Sequence, residues 1–190
     1  MKFDKNTFEI TFFARAGQGA KSVAEILAQT AVFEGKYIQA FPYYGPQRSG
    51  APTRAYVRIS SEPIRSHEPV VNPDLVVVMD DTLLETENIT NNLDKNETLI
   101  INTTKTEEEV RKLVNKFKGN IKAIDATGIA IDMIGQPHFN GAILGKIIKV
   151  SSLVKLENVF EQFRKIFEKK LGKEITKKNI LAIEKGFDEL

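Results

Sequence analysis

Phe8-Glu9-Ile10-Thr11-Phe12-Phe13, then Ala14-Arg15-Ala16-Gly17-Gln18-Gly19-Ala20, then Val23, Ile26, Leu27, Thr30 and Ala31 form the stretch that decides the fold. The first six residues read as a strand rich in aromatic and β-branched side chains. Small residues then give a tight turn, and the three- and four-residue spacing that follows places one apolar face on a helix. A strand turning directly into a helix is the opening unit of an α/β layer fold. The helix is expected to end at Gly35.

Working outward, the same alternation continues. Tyr37 to Phe41 is a second short strand, and Pro42 to Pro52 holds three prolines and two glycines, which predicts a loop. Thr53 to Ser60 alternates Ala55, Val57 and Ile59 with Arg54, Tyr56 and Arg58, the period of an antiparallel or edge strand with one face less buried. Leu75 to Met79 is continuously apolar, as a central strand covered on both faces would be. Glu97 to Ile101 repeats that theme. Thr106 with Glu109 predicts a capping box opening a helix to about Phe117, and Ile121 to Ile124 closes the strand series. After Asp125 the pattern is helical, with stripes at Leu156, Phe160, Phe163, Phe167 and Leu171 and at Ile180, Ile183 and Phe187, separated by Gly172. The expected fold is therefore α/β, a Rossmann-like doubly wound, mostly parallel sheet with C-terminal helices. No linker divides it, so residues 1–190 read as a single domain with a core over about 8–150 and a helical part over about 151–190.

Composition narrows the function. A chain of 190 residues with 42% hydrophobic content buries roughly 70% of its unfolded surface around one core. The formal net charge of +2 gives no electrostatic footprint for nucleic acid. Cysteine is absent, which excludes disulfides, thiolate nucleophiles and any iron–sulfur cluster held by this chain. The charged start and the lack of any long apolar run predict a cytoplasmic protein without a membrane partner.

Two segments carry the candidate chemistry. Arg15, Gly17, Gln18 and Gly19 lie between strand and helix, where backbone amides and the positive end of the helix dipole favour a phosphate or carboxylate. A ligand-free tight connection is the alternative. A dinucleotide fingerprint would need glycine where Ala14 and Ala16 stand and an acid near Gln39, Ala40 and Phe41, so NAD is disfavoured. A phosphate-binding loop of the ATPase type would need glycine at Arg15 and Ala20 ahead of Lys21-Ser22, so ATP hydrolysis is disfavoured too. The second segment, Phe41 to Thr53, offers Arg48 as a bidentate anion partner and Ser49 as a hydroxyl. Tyrosine and arginine also anchor subunit interfaces, so ligand and partner remain equal alternatives there. In a doubly wound sheet both segments fall at the carboxyl ends of strands and can share one crevice. Asp80-Asp81 is expected to cap a helix more than to act as a carboxylate pair. His67 and His138 have no third ligand at metal spacing; no metal site and no catalytic residue is assigned.

Taken in order, Arg15-Ala16-Gly17-Gln18-Gly19-Ala20-Lys21-Ser22, Gly35 to Pro42, Tyr44-Gly45, Arg48-Ser49-Gly50-Ala51-Pro52, Arg58-Ile59 and Pro73-Asp74 resemble the gamma chains of 2-oxoacid:ferredoxin oxidoreductases, those of pyruvate synthase most closely. The resemblance runs from about Phe8 to Ile148. It implies a Rossmann-like gamma chain, inactive alone, in a complex with alpha, beta and delta subunits. That complex oxidises pyruvate to acetyl-CoA and carbon dioxide and reduces ferredoxin. It further implies that thiamine diphosphate, magnesium and 4Fe–4S clusters sit on the partner subunits. Coenzyme A would be held in part by this chain, at Arg15, Gly17, Gln18, Gly19, Arg48, Ser49 and Gly50. The alternatives are a stand-alone nucleotide-binding module, or the gamma chain of a 2-oxoglutarate, 2-oxoisovalerate or indolepyruvate relative.

Overall fold

A six-stranded sheet in the order β2-β3-β1-β4-β5-β6 organises the molecule, seen in a computed structural model that describes residues 6–43, 50–66 and 68–189. Its strands are β1 (Thr7–Arg15), β2 (Tyr37–Tyr43), β3 (Pro52–Ser60), β4 (Leu75–Val78), β5 (Thr98–Asn102) and β6 (Asn120–Ile124). β1, β4, β5 and β6 run parallel to one another, and β3 is antiparallel to both β1 and β2. Strict alternation along β1 assigns its side chains: Ile10, Phe12 and Ala14 enter one core and Phe13 the other. The first core is roofed by α1 (Ala20–Phe33), α4 (Ala126–Ile134), α5 (Asn140–Ser151), α6 (Leu156–Leu171) and α7 (Lys173–Asp188). The second lies under the short α2 (Leu83–Thr86) and α3 (Glu107–Leu113). Helices on both faces make the fold doubly wound, as expected. None of the helices among the described residues is long and apolar enough to cross a membrane.

The differences from expectation have local causes. β2 continues through Pro42 to Tyr43, because it is an edge strand, where a residue lacking an N–H costs no inner ladder bond. β3 is antiparallel but internal, and it is buried from Ala55 to Ser60. Arg58 makes that possible: its guanidinium, 4% exposed, donates to Glu9 Oε1 at 2.7 Å, Gln39 Oε1 at 3.3 Å and the Glu68 carbonyl at 2.5 Å. Helix α3 has the expected Thr106–Glu109 capping box but stops at Leu113. Beyond it Phe117 folds into the second core, and Arg111 ties down the carbonyls of Phe117 and Gly119.

The terminal helices pack on the sheet's first face. α5 and α7 approach so closely that a Cβ on Gly145 would sit 2.0 Å from the Ile183 carbonyl oxygen. A Cβ on Gly186 would sit 2.1 Å from the Ala142 carbonyl oxygen. Both obstacles are backbone, so the helices themselves would have to separate. Gly145→Ala or Gly186→Ala is therefore expected to destabilise the chain by about 1–3 kcal/mol, despite alanine's better helix propensity. A thermal melt would show a drop of several degrees; an unchanged melting temperature would mean that the helices are not in this contact.

Candidate functional site

The carboxyl ends of β1, β4, β5 and β6 form one rim, and the chain leaving β1 turns there at once. Gly17 (φ 100°) and Gly19 (φ 82°) both take the left-handed conformation that side chains disfavour. A Cβ at Gly19 would also collide with the Asn140 side chain at 2.2 Å. Gly19 is the N-cap of α1, which has no side-chain cap hydrogen bond and no acidic residue in its first turn. First-turn amides of a helix have no intrahelical partner, so this end remains a donor surface with positive potential.

Next to the turn lies the base of the β2–β3 connection. The Ala16 N–H donates to the Ala51 carbonyl at 2.9 Å, and the Gly50 N–H donates to the Ala16 carbonyl at 3.1 Å. The two segments expected to share a crevice are thus hydrogen-bonded at their bases. Gly50 itself is left-handed (φ 83°) and exposed. Arg48 and Ser49 lie outside the described residues, as does His67. Ala14 and Ala16, which stand where a dinucleotide turn has glycine, have other duties. Ala14 is fully buried in the core, and both backbone polar groups of Ala16 are used by Gly50 and Ala51.

Arg15 and Gln18 face neighbouring elements. Gln18 Oε1 accepts the Arg15 N–H at 2.7 Å, and Gln18 Nε2 donates to Asp80 Oδ2 at 2.8 Å. Arg15 Nε lies 3.2 Å from the same Asp80 oxygen. Asp80 Oδ1 accepts the N–H and hydroxyl of Thr82, at 3.1 and 2.5 Å. The expected N-cap role thus needs correcting, since the N-cap of α2 is Thr82 and Asp80 fastens that residue from two positions upstream. Asp81 turns into the adjacent crevice and pairs with Thr103 Oγ1 (2.7 Å) and Lys105 Nζ (2.5 Å).

Burial raises the affinity of both aspartates for a proton, but their donors outweigh it. Hydrogen bonds from Thr82 and Gln18 with the Arg15 charge hold Asp80 below the usual carboxylate range, and Lys105 with Thr103 does the same for Asp81. Neither is poised as a general acid near neutral pH.

Residues the sequence did not flag complete the rim. Asn102 Nδ2 donates to the Met79 carbonyl (3.1 Å) and to Thr127 Oγ1 (3.0 Å), joining the end of β4 to the start of α4. Asp125 caps α4 by accepting the Gly128 N–H at 2.8 Å. With Gln18, Asp80, Asp81, Thr103 and Phe139, these residues line a crevice of about 490 Å³ at the rim. Single Asn and Thr residues after a strand carry no distinctive pattern; only the strand order brings them together. Of the two histidines, His138 is exposed and lines a separate groove of about 450 Å³ between α1, α6 and α7.

Residues 9–189 match the family model of pyruvate ferredoxin/flavodoxin oxidoreductase. The chain belongs to that family. It is 45% identical over 181 residues to the Thermococcus kodakarensis pyruvate/ketoisovalerate oxidoreductases common subunit gamma, spanning 95% of this chain and 96% of the relative. The crystal structure of the Thermotoga maritima pyruvate oxidoreductase subunit PORC superposes with a TM-score of 0.87 at 42% identity, covering 97% of each chain. A more distant structure shows the shared fold alone. It is the Magnetococcus marinus 2-oxoglutarate:ferredoxin oxidoreductase, solved with 2-oxoglutarate, coenzyme A and succinyl-CoA bound. That match has a TM-score of 0.78 at 18% identity and covers 96% of this chain but 31% of the larger one.

Because Asp80 and Asp81 ionise below the unfolded range, the unfolded chain binds more protons than the folded one at acid pH. Their stabilisation is complete above about pH 4 and is lost as the pH falls through the lowered folded values. Urea midpoints of the native chain should fall with acidification over that window. The Asp80→Asn/Asp81→Asn variant should start lower and fall less steeply; an equal slope would mean that these carboxylates are not paired.

Proposed function

We propose that this chain is the gamma subunit of a cytoplasmic, multi-subunit pyruvate:ferredoxin oxidoreductase and supplies part of the coenzyme A site. Turnover requires alpha, beta and delta subunits, and ferredoxin accepts the electrons. Family membership and the full-length similarity to gamma and PORC subunits support the assembly part of this reading. The coenzyme A part is carried by one observation. The glycine turn at the uncapped start of α1 is hydrogen-bonded to Gly50 and Ala51 at the base of the loop that contains Arg48 and Ser49.

Coenzyme A is a polyphosphate, and the donor set suits it. Backbone amides at the start of α1 would face a phosphate, and Arg48 and Ser49 offer a bidentate cation and a hydroxyl in the adjoining segment. The nearby acids do not oppose this, since Asp80 and Asp81 are matched by Arg15 and Lys105. Gly17 and Gly50 allow the close approach. The fold-related Magnetococcus marinus enzyme was solved with coenzyme A bound, which favours the same ligand class. This chain's residues bind and orient the acyl acceptor; they perform no redox step. Thiamine diphosphate and magnesium are assigned to the other subunits by the family reading, and so are the 4Fe–4S clusters, for which a cysteine-free chain offers no thiolate.

The choice of oxoacid lies with those other chains. A relative named as the common gamma subunit of pyruvate and ketoisovalerate oxidoreductases supports that division of labour.

Arg48→Ala in the assembled complex should raise the KM for coenzyme A about 10- to 100-fold, as expected for a lost charge-assisted phosphate contact. At saturating coenzyme A the kcat for pyruvate-dependent viologen reduction should persist. An unchanged KM would remove the loop from the coenzyme A site.

A further inference from the structure

The hydrogen bonds around the turn divide its residues into those that can face a ligand and those already committed. Every nitrogen of the Arg15 guanidinium has a protein partner. Nε meets Asp80 Oδ2 at 3.2 Å, Nη1 donates to the Gly50 carbonyl at 3.3 Å and Nη2 donates to Thr82 Oγ1 at 2.6 Å. Gln18 is committed at both ends, to the Arg15 N–H and to Asp80. Asp80 receives four donors, two on each oxygen, which fills the acceptor capacity of a carboxylate. The group is only partly exposed, with side-chain accessibilities of 31% for Arg15 and 18% for Asp80.

We propose that Asp80 is a positioning residue for the coenzyme A turn, acting through Gln18 and Arg15, and that Arg15 serves as a brace in place of a direct phosphate ligand. The proposal rests on the coenzyme A reading above. One carboxylate joins three separate pieces of chain: the Gly17–Gly19 turn through Gln18, the start of α2 through Thr82 and, through Arg15, the Gly50 base of the Arg48 loop. The two halves of the anion site come from segments about thirty residues apart in sequence, and Gly50 meets the turn through few bonds. Holding both to the end of β4 sets the distance between the turn amides and the Gly50 base before a ligand arrives, which is preorganisation. A phosphate recruiting Arg15 would have to break three existing contacts, which suits a brace better than a ligand.

Asp80→Asn tests this with little change of shape, because the amide presents a donor where the carboxylate accepts two bonds on each oxygen. In the assembled complex we expect the KM for coenzyme A to rise about tenfold, with kcat and the KM for pyruvate within twofold. Gln18→Ala should have an effect of similar size, and the double variant should be little worse than either single one, since both act through the same carboxylate. A purely structural role would instead degrade all three kinetic constants together, which overturns the proposal. An unchanged KM for coenzyme A in Asp80→Asn, with the expected rise in Arg48→Ala, overturns the positioning role and leaves the coenzyme A reading standing. An unchanged KM in both variants overturns the two together.

Discussion

Strand β1 is held from both sides, antiparallel to β3 along Thr7 to Arg15 and parallel to β4 from Ile10 to Phe13, and the site inherits its position from that pairing. The parallel ladder is stitched at its start as well. Asp74 Oδ2 accepts the Glu9 N–H, and the Asp74 N–H returns to the Glu9 carbonyl, each at 2.8 Å. With both edges satisfied, β1 cannot slide, since a shift of one residue would exchange Phe12 and Phe13 between the two cores. Its last residue therefore delivers the glycine turn to a fixed point at the rim. The connections of β1 and β4 leave on opposite faces of the sheet, and this divergence opens a crevice beside the turn.

Charge at that rim is arranged in matched pairs. Three aspartates, Asp80, Asp81 and Asp125, surround the crevice, and unmatched they would repel a phosphate ligand. Arg15 and Lys105 meet the first two, and Asp125 points into the first turn of α4. The carboxylates thus serve as acceptors that fix loops, and the donor surface is left to backbone amides and the neighbouring loop. That division suits the proposed role of holding an anionic carrier.

The terminal helices complete the first face of the sheet. α7 lies against α5 through glycine contacts, α6 crosses α1, and the Lys36 ammonium bonds to both the Leu153 carbonyl and Glu34. Glu34 in turn accepts from Lys155 and Asn158 at the start of α6, tying the end of α1 to that helix. Burial works against ionisation of Glu34, yet these donors hold it below the usual range. The helical part thereby shares the first core with α1 and the sheet.

The sequence by itself determined the layered α/β class, the strand–turn–helix opening, most strands to within a few residues, the capping box at Thr106 and the family. Each of these is written in local periodicity or in an ordered set of short segments. The antiparallel alternation of β3 was also legible, but its place inside the sheet was not, because the burial of Arg58 depends on Glu9, Gln39 and Glu68 from three other segments. The glycine turn and its nearness to the following loop were anticipated from strand-end geometry, whereas the hydrogen bonds of Ala16 to Gly50 and Ala51 were not. What only the tertiary structure decided is the set of partners at the rim. Arg15 and Gln18 read as ligand groups in the linear chain, and the fold gives both a partner in Asp80, 62 residues beyond Gln18. A hydrogen-bond partner across the sheet leaves no spacing in the sequence; it exists only when β1 and β4 lie side by side.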